Sequence, residues 1–367
     1  MIYLDNAATT RIHQEVIDEM NRVLVEIYGN PNSLYYEQAV RARAIVEKAR
    51  SEVASLVNVN PSGVIFTSGA TEGNNMVLKG VLERTGKTHI ITTEVEHSSV
   101  LETCNYLSRK GIRVSYLKVD KNGAINLDAL ESEITEDTAL VSIMWANNET
   151  GIVNNIKTIS EICERKKVLF HTDATQAIGK VLIDLSVLSK VDFITFSAHK
   201  FYGPKGVGAV IINHFNPLDM RIEPLIHGGD QENKLRGGTL PTHQIAGIGT
   251  AARICKGNLA KNIEILKLLE IQLIEKLRKT YGGNIEILNE HVLKVPGIVS
   301  VRFKGINNQV LLKSISDSIC ASSGSACSNS KPSHVYSAMG YELDSIKEII
   351  RISLSPYDDY NKFDDFE

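Results

Sequence analysis

The 367-residue sequence has few cysteines and no long apolar run. Its five cysteines are widely spaced, odd in number and without a Cys-x-x-Cys pair. This distribution argues against a disulfide framework and against a zinc site, so we expect a reducing compartment and no metal. The first residues are neither basic nor strongly apolar, and no apolar run approaches membrane-spanning length. We therefore expect a soluble, cytoplasmic protein.

The sequence also lacks a strong charge of either sign. It has 40 Lys and Arg residues against 43 Asp and Glu, with a net charge of -3. Because these charges are interspersed, they create no field that would attract nucleic acid or an anionic membrane. The expected partners are small molecules and proteins. The length and the 43% hydrophobic content are sufficient for a large domain and a smaller companion domain.

Short apolar runs alternate with helical stretches through the first two thirds of the chain. Predicted strands cover residues 64–67, 89–92, 114–117, 140–144, 168–171, 193–196 and 207–212. Since they are apolar on both sides, they predict a mainly parallel, doubly wound α/β sheet. A helix is predicted from about 257 to 281. We predict a large domain at 13–255, and a smaller α+β domain formed by 1–12 and 256–367.

Polar residues follow the predicted strands where they end. The turn at 68–74 contains Ala70 and Thr71 and opens a helix, which favours a phosphate site. The other strands lead to a second set of polar residues: His97, Asn148, Asp173, Gln176, Ser197, His199 and Lys200. Because ligands bind at the carboxyl ends of parallel strands, we expect these side chains to meet at one edge of the sheet.

This set of residues has the chemistry that pyridoxal 5'-phosphate requires. Lys200 would form a Schiff base with the cofactor, and Asp173 would pair with the pyridine nitrogen. His97 would stack on the ring and move protons, because its ordinary pKa lies near working pH. Gln176 would bond the ring oxygen. The phosphate would be contacted by three further residues: Thr71, Ser197 and His199.

Each of these residues also has a simpler interpretation. Ser-Gly-Ala-Thr before a helix is more often an ordinary helix cap, and Asp173 alone could cap a turn. Most lysines are solvated, and most single histidines are structural. Chance alignment of all of them at successive strand ends is much rarer than any one coincidence. The set as a whole therefore favours a cofactor site.

A second group of interest lies near the carboxyl end of the sequence. Cys327 stands in a run of small polar residues at 321–329, which is typical of an exposed, mobile loop. Its thiol could take sulfur from bound cysteine, although a flexible linker with an incidental cysteine has the same pattern. Arg351 lies within the apolar run 349–354, where a charge needs a partner. The partner of Arg351 could be a substrate carboxylate or an acidic side chain in a structural ion pair, and both interpretations remain open.

Seven segments together resemble the cysteine desulfurases of the pyridoxal-phosphate fold-type I, class V aminotransferase superfamily. They run nearly end to end: 3–10, 29–33, 66–72, 147–151, 171–176, 197–200 and 323–327. The last segment, Ser-Gly-Ser-Ala-Cys, is similar to the first of the two desulfurase groups. In that group, a mobile loop delivers a persulfide to acceptor proteins.

The resemblance implies a role for each candidate residue. Lys200 is the Schiff-base lysine, Cys327 the persulfide carrier, and His97 the acid and base. Asp173 and Gln176 contact the cofactor ring. The phosphate and substrate groups are completed by Ala70, Thr71, Ser197 and His199 at the phosphate, Asn148 at cofactor and substrate, and Arg351 at the substrate carboxylate.

The resemblance also implies partners. Thr239 matches a residue that reaches the phosphate of a partner subunit, which implies a homodimer, and the sulfur acceptor would be an iron–sulfur scaffold or a thiolation enzyme. The sequence departs from the family pattern at Tyr35, Asp230 and Gly237. Three alternatives remain open: a selenocysteine lyase, another class V aminotransferase-like enzyme, and a scaffold that has lost turnover.

Overall fold

The chain folds into helices and strands around two sheets and a short strand pair. The computed structural model describes residues 1–188, 190–324, 332–358 and 360. Helices there are α1 Gln14–Glu26, α2 Glu37–Leu56, α3 Ala70–Thr85, α4 Ser98–Ser108, α5 Leu127–Glu133, α6 Ile156–Arg165, α7 Thr242–Tyr281, α8 Asn308–Ser314, α9 His334–Ala338 and α10 Leu343–Ile346. Strands there are β1 Ile2–Tyr3, β2 Val64–Thr67, β3 His89–Thr93, β4 Arg113–Leu117, β5 Thr138–Ser142, β6 Leu169–Asp173, β7 Phe193–Ser197, β8 Gly208–Ile212, β9 Ile285–Leu288, β10 Ile298–Phe303, β11 Ile319–Cys320 and β12 Ile349–Ser353. None of these helices is both long enough and apolar enough to cross a membrane.

The larger sheet has seven strands in the order β2-β8-β7-β6-β5-β3-β4. All of them run parallel except β8, which is antiparallel to both of its neighbours. Every residue of β2, β3, β5, β7 and β8 is buried, as expected for strands covered by helices on both faces. The predicted strands and the mainly parallel, doubly wound α/β class are confirmed.

The smaller sheet is antiparallel, with β10 between β9 and β12. Its register pairs Ser300 with Arg351, so Arg351 lies in the middle of β12, a strand at the edge of this sheet, within the apolar run 349–354. The chain start joins this region through a parallel bridge between Asp5 and Ser353, the last residue of β12, while β1 pairs in parallel with β11. Arg351 is thereby held between the small sheet and the amino-terminal segment.

Helix α7 is longer than predicted, since it begins at Thr242 rather than near residue 257. Two glycines in its first half allow close helix packing. A Cβ on Gly249 would lie 2.6 Å from Ala49 in α2, and one on Gly247 would lie 2.8 Å from Pro204. These glycines weaken the helical pattern in the sequence but fit the packing. The proposed domain division at residue 255 falls inside this helix and stays a prediction.

Candidate active site

A cavity of about 240 Å³ opens at the carboxyl ends of the parallel strands. It brings together ten of the predicted site residues: Ala70, Thr71, His97, Asn148, Asp173, Gln176, Ser197, His199, Lys200 and Arg351. Asp173 and Ser197 are the last residues of β6 and β7, and Ala70 begins the helix that follows β2. The sheet edge predicted from the strand ends is therefore where these side chains meet.

The turn before α3 has the form of an anion site. Gly69 precedes the helix with φ +153°, a conformation that residues with a side chain rarely adopt. Because glycine has no side chain, Gly69 cannot cap the N–H groups in the first turn of α3, where an anion can be bound. The Ala70 N–H donates to Ser197 Oγ at 2.7 Å, which joins this turn to the end of β7. This geometry fits a phosphate group.

Lys200 is held against the amino-terminal segment. Its Nζ donates to the carbonyl oxygens of Ala7 and Ala8, each at 2.7 Å. The Gln176 amide donates to the same Ala7 oxygen at 2.8 Å and accepts from Lys180 Nζ at 2.6 Å. Sequence reasoning missed that residues 7 and 8 line the site, because they contribute backbone atoms. The only signal was the matching segment at 3–10.

Asp173 is only 5% exposed and both its carboxyl oxygens accept hydrogen bonds. Oδ2 accepts from Asn74 Nδ2 at 2.8 Å, and Oδ1 accepts from the Thr175 N–H at 2.9 Å. A buried carboxylate supported in this way can stabilise a protonated ring nitrogen. Together with an amine on Lys200 and an anion site at α3, this residue makes the cavity fit pyridoxal phosphate. Asn74 was quoted in the sequence motif, but no role was assigned to it.

Both cavity histidines are held neutral. Burial lowers the pKa of His97, with Lys200 acting in the same direction and Asp173 against it. His97 also caps α4, since its Nδ1 accepts the Ser99 N–H at 3.1 Å. Burial and the neighbouring Lys200 lower the pKa of His199 to about 4. His199 Nδ1 lies 3.1 Å from Thr9 Oγ1.

Arg351 is 2% exposed and has protein partners although it lines the cavity. Its Nη2 donates to Asp5 Oδ1 at 2.7 Å and to Ser322 Oγ at 2.8 Å. Its Nη1 donates to the Asn148 carbonyl at 2.6 Å. Its buried Nε has no hydrogen-bond partner among the described residues. A structural ion pair is thus present, and part of the guanidinium is still available to a ligand.

Two predicted residues are not brought into this cavity. Thr239 is exposed and does not line it. Cys327 lies outside the residues that the structure describes, so its place relative to Lys200 stays a prediction.

The sequence of this chain matches one protein family over nearly its whole length. The model for "Aminotransferase class-V" matches residues 2–366, almost the whole chain. The protein belongs to the class-V aminotransferase family. Members of this family depend on pyridoxal phosphate, which agrees with the fit of the cavity.

Individual relatives extend this result. "Cysteine desulfurase IscS" of Pseudoalteromonas translucida (strain TAC 125) is 41% identical over 363 residues, which cover 97% of this chain and 88% of the relative. A solved structure named "NIFS-LIKE PROTEIN" has a TM-score of 0.92 and 39% identity, covering 100% of this chain and 96% of its own. Another, "SspA in complex with cysteine", has a TM-score of 0.85 and 32% identity, covering 98% of this chain and 100% of its own.

Proposed function

We propose that this protein is a cysteine desulfurase that converts L-cysteine to L-alanine and receives the sulfur on Cys327 as a persulfide. The observation that carries the proposal is one cavity in which Lys200 and Asp173 lie together with His97. Similarity to proteins named cysteine desulfurase over nearly the whole chain supports the same reaction. The sulfur atom leaves the substrate and joins the Cys327 sulfur, so that alanine and a persulfide are the two products.

The cofactor would be held at four points. The Lys200 amine would bind its aldehyde, Asp173 would face its ring nitrogen, and Gln176 would bond its ring oxygen. Its phosphate would lie at the start of α3, with the remaining contacts from Ala70, Thr71, Ser197 and His199. Asn148 lines the same cavity and would contact both cofactor and substrate. When bound, pyridoxal phosphate supplies an electron sink for the bonds at the substrate Cα.

The protein supplies proton transfer and substrate binding around that group. Lys200 and His97 line one cavity, so both can exchange protons with a substrate there. Arg351 would bind the substrate carboxylate with the donors that Asp5, Ser322 and Asn148 leave open. Because Arg351 is buried, water competes little for its guanidinium, and the attraction between this group and the substrate carboxylate is stronger than it would be at the surface.

A homodimer with shared sites is part of the proposal. Thr239 is exposed, so a neighbouring subunit can reach its hydroxyl. Large apolar side chains are exposed along one stretch of the chain: Leu24, Val25, Tyr28, Leu34, Tyr35, Tyr36 and Val40. Such a concentration of exposed apolar surface is typical of an interface. The persulfide would pass to an acceptor protein, an iron–sulfur scaffold or a thiolation enzyme; a cytoplasmic location stays a prediction.

Replacing Cys327 by Ser tests the central claim. The Cys327→Ser holoenzyme should keep its yellow cofactor absorbance, because Lys200 and Asp173 are unchanged, and should lose persulfide formation and nearly all alanine release from L-cysteine. The measurement is alanine yield together with mass-spectrometric mapping of the persulfide. Cys320→Ser is the matched control, since Cys320 lies in β11 with its Sγ 3.2 Å from Met1 Sδ. Sustained sulfur transfer to an acceptor by Cys327→Ser would contradict the proposal.

A further inference from the structure

A buried chain of hydrogen bonds connects Asp173 to His97 through two side chains of α3 and α4. Asn74 is 0% exposed, and its Nδ2 donates to Asp173 Oδ2 and to Ser99 Oγ, both at 2.8 Å. A carboxylate only accepts hydrogen bonds, so the Nδ2 group of Asn74, and not Oδ1, must face Asp173. Both amide hydrogens of Asn74 are therefore committed.

The other side of Asn74 supports the same orientation. Thr195 donates its hydroxyl to Asn74 Oδ1, and Thr195 Oγ1 lies 3.2 Å from His171 Nε2. Burial lowers the pKa of His171 to about 4, so its ring is neutral near pH 7. Since the Thr195 hydrogen is donated to Asn74, His171 Nε2 must be the donor to Thr195. The hydrogen bonds thus all run toward Asp173 and His97.

The direction of the chain fixes the proton on His97. Ser99 Oγ accepts from Asn74, so the Ser99 hydroxyl hydrogen is available to a second partner, and His97 Nδ1 lies 2.8 Å away. The same Nδ1 accepts the Ser99 backbone N–H at 3.1 Å. A ring nitrogen that accepts two hydrogen bonds carries no proton, so the proton of the neutral imidazole is on Nε2.

We propose that Asn74 and Ser99 are positioning residues that hold neutral His97 in its Nε2–H form, so that this histidine offers the reacting groups a hydrogen-bond donor at Nε2. The inference rests on the proposed function only for the role of His97. Three charged or titratable groups face the ring: Asp173 from β6, Lys200 from the turn after β7, and His334 from α9. Neither Asn74 nor Ser99 contacts the substrate in this proposal, and both act through His97.

The first test reads the proton position directly. The full-length holoenzyme, labelled with ¹⁵N-histidine, is examined by long-range ¹H–¹⁵N correlation NMR, with the His97 signals assigned by their loss in His97→Gln. We expect an unprotonated Nδ1 and a protonated Nε2 at neutral pH. A His97 ring protonated on Nδ1 in the wild type would overturn the inference, whatever the activity of the enzyme.

The second test removes the hydroxyl link. Ser99→Ala should raise the pKa of His97 by about half to one unit, because one of the two donors that favour the unprotonated Nδ1 is lost. Ser99→Thr keeps a hydroxyl and should restore the wild-type value. Asn74→Ala should shift the pKa in the same direction, because the Ser99 hydroxyl then loses the donor that directs its hydrogen toward His97.

Two matched controls complete the design. Ser108→Ala removes an exposed hydroxyl from the same helix, α4, and Asn75→Ala removes a half-buried amide beside Asn74 that donates to the Thr71 carbonyl of its own helix. Both should leave the His97 pKa and tautomer unchanged. Unchanged His97 signals in Ser99→Ala would overturn the role of this hydrogen-bond chain. A wild-type enzyme that shows the expected NMR result but forms no alanine from L-cysteine would instead count against the proposed function.

Discussion

A carboxyl group that is completely buried lies one residue before His97. Glu96 is 0% exposed; Oε1 accepts from Thr93 Oγ1 at 2.8 Å and from the Met144 N–H at 2.9 Å. Its Oε2 is buried without a partner in the described residues. Burial, with a smaller contribution from the charge of Asp173, raises the pKa of Glu96 from 4.5 to about 8.

This pKa makes the stability of the protein depend on pH. Between the unfolded and folded pKa values, unfolding releases the Glu96 proton, so the free energy of unfolding falls as pH rises. Glu96→Gln should remove this contribution, which is about 1.4 kcal/mol for each pH unit in that interval. Urea denaturation of the wild type and the variant at pH 5 and pH 8 measures it. Glu94→Gln is the control, and an equal pH dependence in wild type and Glu96→Gln would contradict the assignment.

The residues predicted from the sequence were those whose chemistry is visible in their side chains. Lys200, Asp173 and His97 follow strands, and the strand pattern was strong enough to place them at one edge. Asn74 and Ser99 are ordinary helix residues in the sequence, and only their distances in the fold reveal that they connect Asp173 to His97. Ala7 and Ala8 act through carbonyl oxygens, which every residue has.

At the level of elements, apolar runs located all seven strands of the larger sheet. The antiparallel direction of β8 could not be predicted in the same way, because a strand buried on both faces has the same composition in either direction. The start of α7 was missed for a different reason. Its first half is rich in glycine, and the tight contact of Gly249 with α2 is a tertiary feature that local propensity does not include.

Two of the three glycines of α7, Gly249 and Gly257, are expected to respond to substitution in opposite ways. Gly249→Ala should destabilise the protein by about 1–3 kcal/mol, because the added methyl group would lie 2.6 Å from Ala49 in a packed interface. Gly257→Ala has no heavy atom within 4 Å of the added Cβ and should stabilise by about 0.5–1 kcal/mol. Denaturant titrations of both variants test this. Equal effects of the two substitutions would show that the α2–α7 contact is looser than described.

At the level of the whole molecule, shared sites can be tested by mixing subunits. Lys200→Ala removes the side-chain amine that would bind the cofactor. Thr239→Val should weaken cofactor binding roughly tenfold, because it removes a hydrogen bond to the cofactor phosphate. If each site combines Lys200 of one subunit with Thr239 of the other, a dimer of the two variants contains one site with neither change. Co-expressed variants should therefore recover alanine formation that neither has alone at limiting cofactor. Failure to recover it in isolated mixed dimers would contradict sharing.

Helix α7 has a consequence for how the molecule can move. Its first half packs into the core of the larger sheet through Ile245 and Ile248, and its second half packs into the core of the smaller sheet through Leu266 and Leu273. One continuous helix therefore joins the two cores. A movement of one core relative to the other would require α7 to bend or to unwind locally. Each backbone hydrogen bond lost in this helix would cost about 1 kcal/mol.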